Sequence, residues 1–348
     1  VRVLAPCDGP PPDTGITPLG NSLPTAANGS VAPLAPDPSA QLRVIRALRD
    51  ERFDLLHVHE PLAPGPTITA IVLKQSPIVA TFHRSGPSKS YEFFNKPARW
   101  AANRIEINCA VSEEAAATAK GALGGDYEIL FNGIELDRYA SIVPKQDSRT
   151  IFFVGRHEPR KGLEVLIRSM QFLPDEVRLW IASDGPDTNR LQRTTEGDDR
   201  IEWLGRISEE EKAERLQQSS LFCAPSLGGE SFGIVLLEAM ASKTLVVASD
   251  IPGYSKLTRG GKDALLFKAG DATVLSKVLK KGLYDSGISQ PVVESAFSRV
   301  GNFSMDKLAD RYMDVYQRAV TQKPAVPLAK GGKFFSQRSL TSKNFRIR

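Results

Sequence analysis

Apolar, β-branched runs recur along the chain and alternate with helical stretches. FDLLHVH (53–59), PIVATFH (77–83), RIEINCAV (104–111) and YEILF (127–131) each read as a short strand buried on both faces. Five more follow at RTIFFVG (149–155), VRLWIAS (177–183), RIEWLG (200–205), LFCAP (221–225) and TLVVAS (244–249). Helical patterns separate most of them, which predicts βαβ units and parallel sheets. One helix start is explicit, because Ser208 with Glu211 three residues on has the spacing of a capping box. MDKLADRYMDVYQRA (305–319) reads as one amphipathic helix. VRVLAP reads as a short strand, and residues 8–40 hold eight of the 24 prolines, which predicts loop there.

The fold class predicted is α/β, with two doubly wound, Rossmann-like halves. A chain of 348 residues has room for two such domains. The polar, proline-bearing stretch SIVPKQDSR, near 140–149, marks the seam. The reading is a first domain over 1–145, a second over 146–304, a helix over 305–320 that returns to the first, and a basic disordered tail over 321–348. In such folds ligands bind beyond the carboxyl ends of the strands.

Composition and charge narrow the function. Apolar residues at 41% and charged residues at 24% are those of an ordinary globular protein. No apolar run reaches the roughly 18 residues of a membrane span, and nothing resembles a signal peptide. Cys7, Cys109 and Cys223 lie too far apart for a metal spacing and read as reduced thiols. The net charge of +5 is misleading. Seven lysines and arginines with no acid lie beyond Thr321, so the rest of the chain is slightly acidic and carries no charge signature of nucleic-acid binding.

Two strand-to-helix turns carry candidate chemistry. GRHEPRKG (155–162) puts Arg156, Arg160 and Lys161 where backbone N–H groups and a helix dipole already favour an anion, and this suits a diphosphate. GGESFGIVLLEAMA (228–241) sets Glu230 in a turn and Glu238 two helical turns further on. Gly233 permits close approach of a ligand to the backbone. Carboxylates accept hydrogen bonds from vicinal hydroxyls, so two acids beside a phosphate-accepting turn fit a sugar nucleotide. His83 ends a parallel strand and is a candidate site residue. His57 and His59 flank Val58 and are expected to face opposite ways, and His157, in the basic loop, is expected to be exposed. HExxH, DxD, P-loop and GxSxG motifs are all missing from the sequence.

The E-x7-E pair, the GR…RKG loop and the strand-ending TFH together resemble retaining GT-B glycosyltransferases. HVHEP (57–61), VATFHRS (79–85), NGIELDRY (132–139) and APSLGGESFGIVLLEAMA (224–241) are similar to the actinobacterial phosphatidylinositol mannosyltransferases. The resemblance runs from about Val3 to Tyr316 and implies a GT-B fold, with two Rossmann-like domains facing a cleft. It implies transfer of mannose from GDP-mannose to the inositol of phosphatidylinositol, with no required cofactor and a divalent metal at most stimulatory. By the same resemblance Arg156 and Lys161 would bind the donor diphosphate. Glu230 would hold sugar hydroxyls, and the amides of Phe232, Gly233 and Ile234 would meet sugar and phosphates. Glu238 would take the ribose, Ile207 and Lys212 the guanine, and His83 would lie beside the transferred sugar. A first strand and a Gly-rich loop precede VRVLAP in that family, so the first domain is read as lacking its initial strand.

The resemblance also implies a peripheral protein on the cytoplasmic face of the plasma membrane. In LRVIRALRDERF (42–53) Arg43, Arg46 and Arg49 recur three apart along one helical face, with Leu42, Ile45 and Leu48 on a neighbouring one. That pattern fits contact with an anionic membrane surface, and equally a solvated helix face. Two other functions stay open: a related transferase for another nucleotide sugar or acceptor, and an impaired homologue that only binds nucleotide.

Overall fold

The computed structural model describes residues 1–11, 14–27, 30–86, 95–139, 149–230 and 232–321. The stretch 140–148, where the seam was read, and the basic tail from 322 lie outside them. The chain divides into two compact units, one of Val1–Leu130 with Asp310 onward, the other of Phe131–Ala309.

In the first unit, β1 (Val3–Ala5) pairs in parallel with β2 (Ile16–Pro18), and β3 (Leu23–Ala27) forms an antiparallel ribbon with β4 (Ser30–Leu34). The proline-rich segment expected to be loop therefore carries three strands. Pro18, Pro24 and Pro33 sit in two-stranded ribbons, where a missing N–H removes no bond from a sheet interior. The main sheet is parallel, in the order β5 (Leu56–His59), β6 (Ile78–Phe82), β7 (Ile107–Ala110), β8 (Glu128–Ile129). Strand alternation sends Leu56, Val58, Ile78, Ala80 and Phe82 into one apolar cluster with Val44, Leu48 and Ile71 from the helices. The opposite face carries His57 and Thr81, and Tyr312 and Tyr316 of the helix Met305–Thr321 lie on it.

In the second unit, six parallel strands stand in the order β11-β10-β9-β12-β13-β14. They are β9 (Thr150–Val154), β10 (Arg178–Ala182), β11 (Ile201–Gly205), β12 (Leu221–Ala224), β13 (Leu245–Ser249) and β14 (Leu265–Phe267). Five coincide with runs read from sequence; β14, only three residues long, does not. Alternation again divides the core. Phe152, Phe222 and Val246 join one cluster, and Ile151, Phe153, Cys223 and Val247 join the other. Relative to chain order the sheet runs 3-2-1-4-5-6, so its topological switch point lies between β9 and β12. A crevice opens at such a point because the connections leave the two central strands in opposite directions.

Candidate functional site

The switch point in the second unit holds a pocket of about 250 Å³. Phe153 and Val154 at the end of β9 line it, as do Cys223 and Ala224 at the end of β12. Lys161, Glu230, Phe232, Gly233 and Ile234 complete the wall.

The basic loop is shaped by Gly162. Its φ is +69°, and a Cβ there would lie 1.9 Å from the Pro225 carbonyl oxygen, so only glycine lets this loop rest on the one after β12. The contact brings the two candidate turns together. Lys161 Nζ stands 2.7 Å from Glu230 Oε1, and Arg160 donates to the same oxygen at 3.0 Å. Ser226 Oγ donates to it as well, at 3.2 Å. Glu158, only 4% exposed, lies 2.6 Å from Arg160 and 3.4 Å from Arg156. Arg160 was read from sequence as part of the anion-favouring loop, without its contact to Glu230, and Glu158 was not among the site residues read there. The glycine after RK was the available signal, since it permits the close loop contact that seats both.

The helix Ile234–Ala241 buries Leu236 through Ala241, which explains its apolar composition. Gly233, at φ +94°, opens it, and a Cβ there would meet the Tyr254 ring at 2.9 Å. Phe232 turns inward and stacks on Phe131, with ring centroids 5.5 Å apart. Glu238 is 7% exposed. Lys212 reaches its Oε1 at 2.9 Å, while Oε2 is buried with no hydrogen-bond partner among the described residues. Burial works against the Lys212 charge, yet Glu209 and Glu238 hold its ammonium above the usual range. Ile207 packs half-buried beside the same core. Ser208 caps the helix Glu209–Gln218 by accepting from Glu211 N at 3.1 Å. His157, expected to be exposed, is fully buried and bonded through both ring nitrogens, to Thr188 Oγ1 at 2.8 Å and the Ala182 carbonyl at 3.2 Å.

His83 belongs to the first unit. There, His57 and His59 share one face rather than opposing ones, because residues i and i+2 of a strand project to the same side. Their ring centroids are 4.4 Å apart. His59 Nδ1 meets His83 Nε2 at 2.8 Å. His57 bonds Tyr316 at 2.7 Å and Thr81 at 2.8 Å. Burial, with His59 and His83 adding to it, pushes His57 down to about 3; burial with His59 pushes His83 down to about 4.

Elsewhere in this unit, the helix Pro38–Asp50 turns Val44 and Leu48 into the core. Leu42 and Ile45 stay exposed beside Arg43, Arg46 and Arg49, the last two pairing with Asp50 at 3.3 and 2.8 Å. No helix among the described residues is long and apolar enough to cross a membrane.

The family profile described as Glycosyl transferases group 1 matches residues 148–285, and Glycosyltransferase Family 4 matches 1–138. The phosphatidyl-myo-inositol mannosyltransferase of Mycobacterium leprae is 35% identical over 94% of this chain and 91% of its own. That of Mycolicibacterium smegmatis is 34% identical over 86% and 80%. Among solved structures, Anabaena HepE in complex with UDP and glucose superposes with a TM-score of 0.68 at 18% identity, covering 80% of this chain and 81% of that one. Both halves of the chain match glycosyltransferase profiles, and its fold is shared with enzymes of that kind. This chain belongs to the family of GT-B glycosyltransferases that includes the phosphatidyl-myo-inositol mannosyltransferases.

Proposed function

We propose that this glycosyltransferase moves mannose, with retention, from GDP-mannose to the inositol ring of phosphatidylinositol at an anionic membrane surface on the cytoplasmic side. The observation that carries the donor half is the meeting of a basic turn and Glu230 in one pocket at the strand switch point. The names of the relatives carry the choice of mannose and of phosphatidylinositol.

In this reading Arg156 and Lys161 hold the diphosphate, and the amides of Phe232, Gly233 and Ile234 face it from a helix N-terminus. Glu230 accepts hydrogen bonds from mannose hydroxyls. The unpartnered oxygen of Glu238 accepts from the ribose, while Ile207 and Lys212 flank the guanine. His83 lies beside the mannose. As the bond from the mannose anomeric carbon to the β-phosphate oxygen breaks, the diphosphate gains negative charge, and fixed cations stabilise it without reorganising. The inositol hydroxyl forms its bond to that carbon on the same face, and its proton leaves with the diphosphate. Exposed Leu42 and Ile45, among Arg43, Arg46 and Arg49, supply the apolar and cationic parts of an interfacial helix.

Labelled GDP-mannose with phosphatidylinositol vesicles is the test. A mannolipid should form, and it should still form after chelation by EDTA. GDP should raise the melting temperature and UDP should not. Protection by UDP alone would overturn the donor assignment, and no mannolipid would overturn the acceptor. Charge reversal of Arg43, Arg46 and Arg49 together should abolish flotation with anionic vesicles; unchanged flotation would remove the membrane role of this helix.

A further inference from the structure

The ends of β5 and β6 place four polar side chains on one face of the first sheet. His59 pairs with Thr81 in register, so the residue two beyond Thr81, His83, continues the same face. Two consecutive residues after Val58 then grip His83 from different sides. The His59 ring meets the His83 ring, Nδ1 to Nε2, at 2.8 Å. Glu60 takes hold of the main chain: its Oε1 accepts from the His83 N–H at 2.6 Å, and its own N–H donates to the Thr81 carbonyl at 2.9 Å. Glu60 adopts φ +49°, a left-handed conformation rare for a residue with a side chain. Strain of that kind persists where the surroundings over-determine it.

We propose that His59 is a positioning residue for His83, setting its ring orientation and its tautomer while Glu60 fixes its backbone. The inference rests, for its consequence in transfer, on the place of His83 beside the sugar. Two imidazole nitrogens at hydrogen-bonding distance need one proton between them. If both rings are neutral, the side on which that single proton sits decides whether the remaining His83 nitrogen, Nδ1, donates or accepts. The surroundings keep them neutral. His57 lies tilted against His59 from the strand, Tyr312 and Tyr316 pack on His57 from the C-terminal helix, and burial lifts the Glu60 carboxyl above its ordinary range. Partial desolvation lowers His59 as it lowers His83. A ring that turns freely offers a sugar hydroxyl its nitrogens in changing places; a ring held through Nε2 by His59 offers Nδ1 alone, in one fixed place and one fixed role.

The chain has four histidines, so ring nitrogen spectra of the full protein with ¹⁵N-histidine are readable. His83 should appear as one tautomer between pH 6 and 8. In His59→Ala it should average between tautomers, and in His59→Asn, whose amide nitrogen falls near Nδ1, it should stay fixed. His59→Gln, with its amide further out, should behave as the alanine variant. Transfer should follow, with kcat lower by roughly 5- to 10-fold in His59→Ala, the worth of one neutral hydrogen bond, and the KM for GDP-mannose within about twofold. An unaltered His83 spectrum in His59→Ala, or an Asn variant that averages like alanine, would overturn the coupling. A His83 ring that loses its fixed tautomer while kcat holds would leave the coupling standing and remove His83 from the sugar.

Discussion

The polar clusters of the two units both sit at the carboxyl ends of parallel strands, yet they are built from opposite materials. In the second unit the groups are charged and already paired: Glu230 with Lys161 and Arg160, Glu238 with Lys212. In the first they are neutral rings joined by short hydrogen bonds, His59 to His83 and His57 to Thr81 and Tyr316. A site of paired charges suits a ligand that is itself an anion, because an arriving diphosphate gives the cations one anionic partner in place of another. A site of neutral donors and acceptors suits hydroxyls, which need fixed geometry more than field strength. The fold supplies the same edge twice, and loop composition decides which chemistry each edge can bind.

The largest effect expected is that of Glu230→Gln. Transfer should fall by about 10²- to 10³-fold, the range for deleting one preorganised group at a reacting centre. GDP should bind no more weakly, since the substitution frees Lys161 and Arg160 from a competing anion. Initial rates and calorimetric titration with GDP separate the two. Equal losses in both would show Glu230 to be structural and would end the contrast between anion seat and sugar contact.

Lys161→Ala and Arg156→Ala should move the other quantity. GDP affinity should drop by roughly 10- to 100-fold, as expected for a charge-assisted hydrogen bond of about 1.5–3 kcal/mol. A loss of GDP affinity in the basic variants with none in Glu230→Gln is what a paired-charge site demands. Unchanged affinity in both basic variants would place the diphosphate elsewhere.

The charged site was more legible in the sequence than the neutral one, for a physical reason. GRHEPRKG and GGESFGIVLLEAMA are local: the turn, its charges and the helix that follows are contiguous, and the pocket places Lys161, Glu230, Gly233 and Ile234 together. The strand runs were equally plain, because residues buried on both faces leave an uninterrupted apolar stretch. What the chain order hid was contact between loops. Arg160 meets Glu230 only because Gly162 lets two loops touch, and no spacing rule reports that contact. The neutral cluster draws on β5, β6 and a helix more than 200 residues away, as the His57–Tyr316 bond illustrates. The shared face of His57 and His59 was readable from alternation alone, and the expectation of opposite faces miscounted it. The burial of His157 was not readable, since it depends on Thr188 and Ala182 in other elements.

A third, smaller effect follows from the neutral rings. His57 is pushed down to about 3 and His83 to about 4, against an ordinary 6.5. Between about pH 6.5 and 4 the unfolded chain takes up protons that the folded first unit refuses, so stability falls as pH falls through that window. Glu60, raised by burial, acts in the opposite sense, its contribution being lost as pH rises through its folded value. With three lowered histidines against one raised carboxyl, the first unit should lose melting temperature from pH 7 to 5. The second unit contains one lowered histidine, His157, and should lose less. Calorimetry with and without GDP can label the second unit by its shift. Equal acid sensitivity of the two transitions would erase the difference between the clusters.

The smallest effect expected is that of Tyr316→Phe, and it probes whether the neutral cluster is held together by hydrogen bonds or by ring packing. The substitution keeps the aromatic contact with Tyr312, whose centroid is 5.8 Å away, and removes the hydroxyl that meets His57 Nδ1 at 2.7 Å. A net neutral hydrogen bond contributes about 0.5–1.5 kcal/mol, which in a unit of this size corresponds to roughly 1–5 °C of melting temperature. GDP affinity should not move, because Tyr316 does not line the pocket at the strand switch point. His57 keeps its second bond, to Thr81, and Thr81 keeps Tyr312 at 2.9 Å. The ring should therefore stay in place and lose one partner only. A drop well beyond 5 °C would mean that the hydroxyl orders the whole cluster. No drop would mean that stacked rings suffice, and that the hydrogen bonds set proton positions rather than stability.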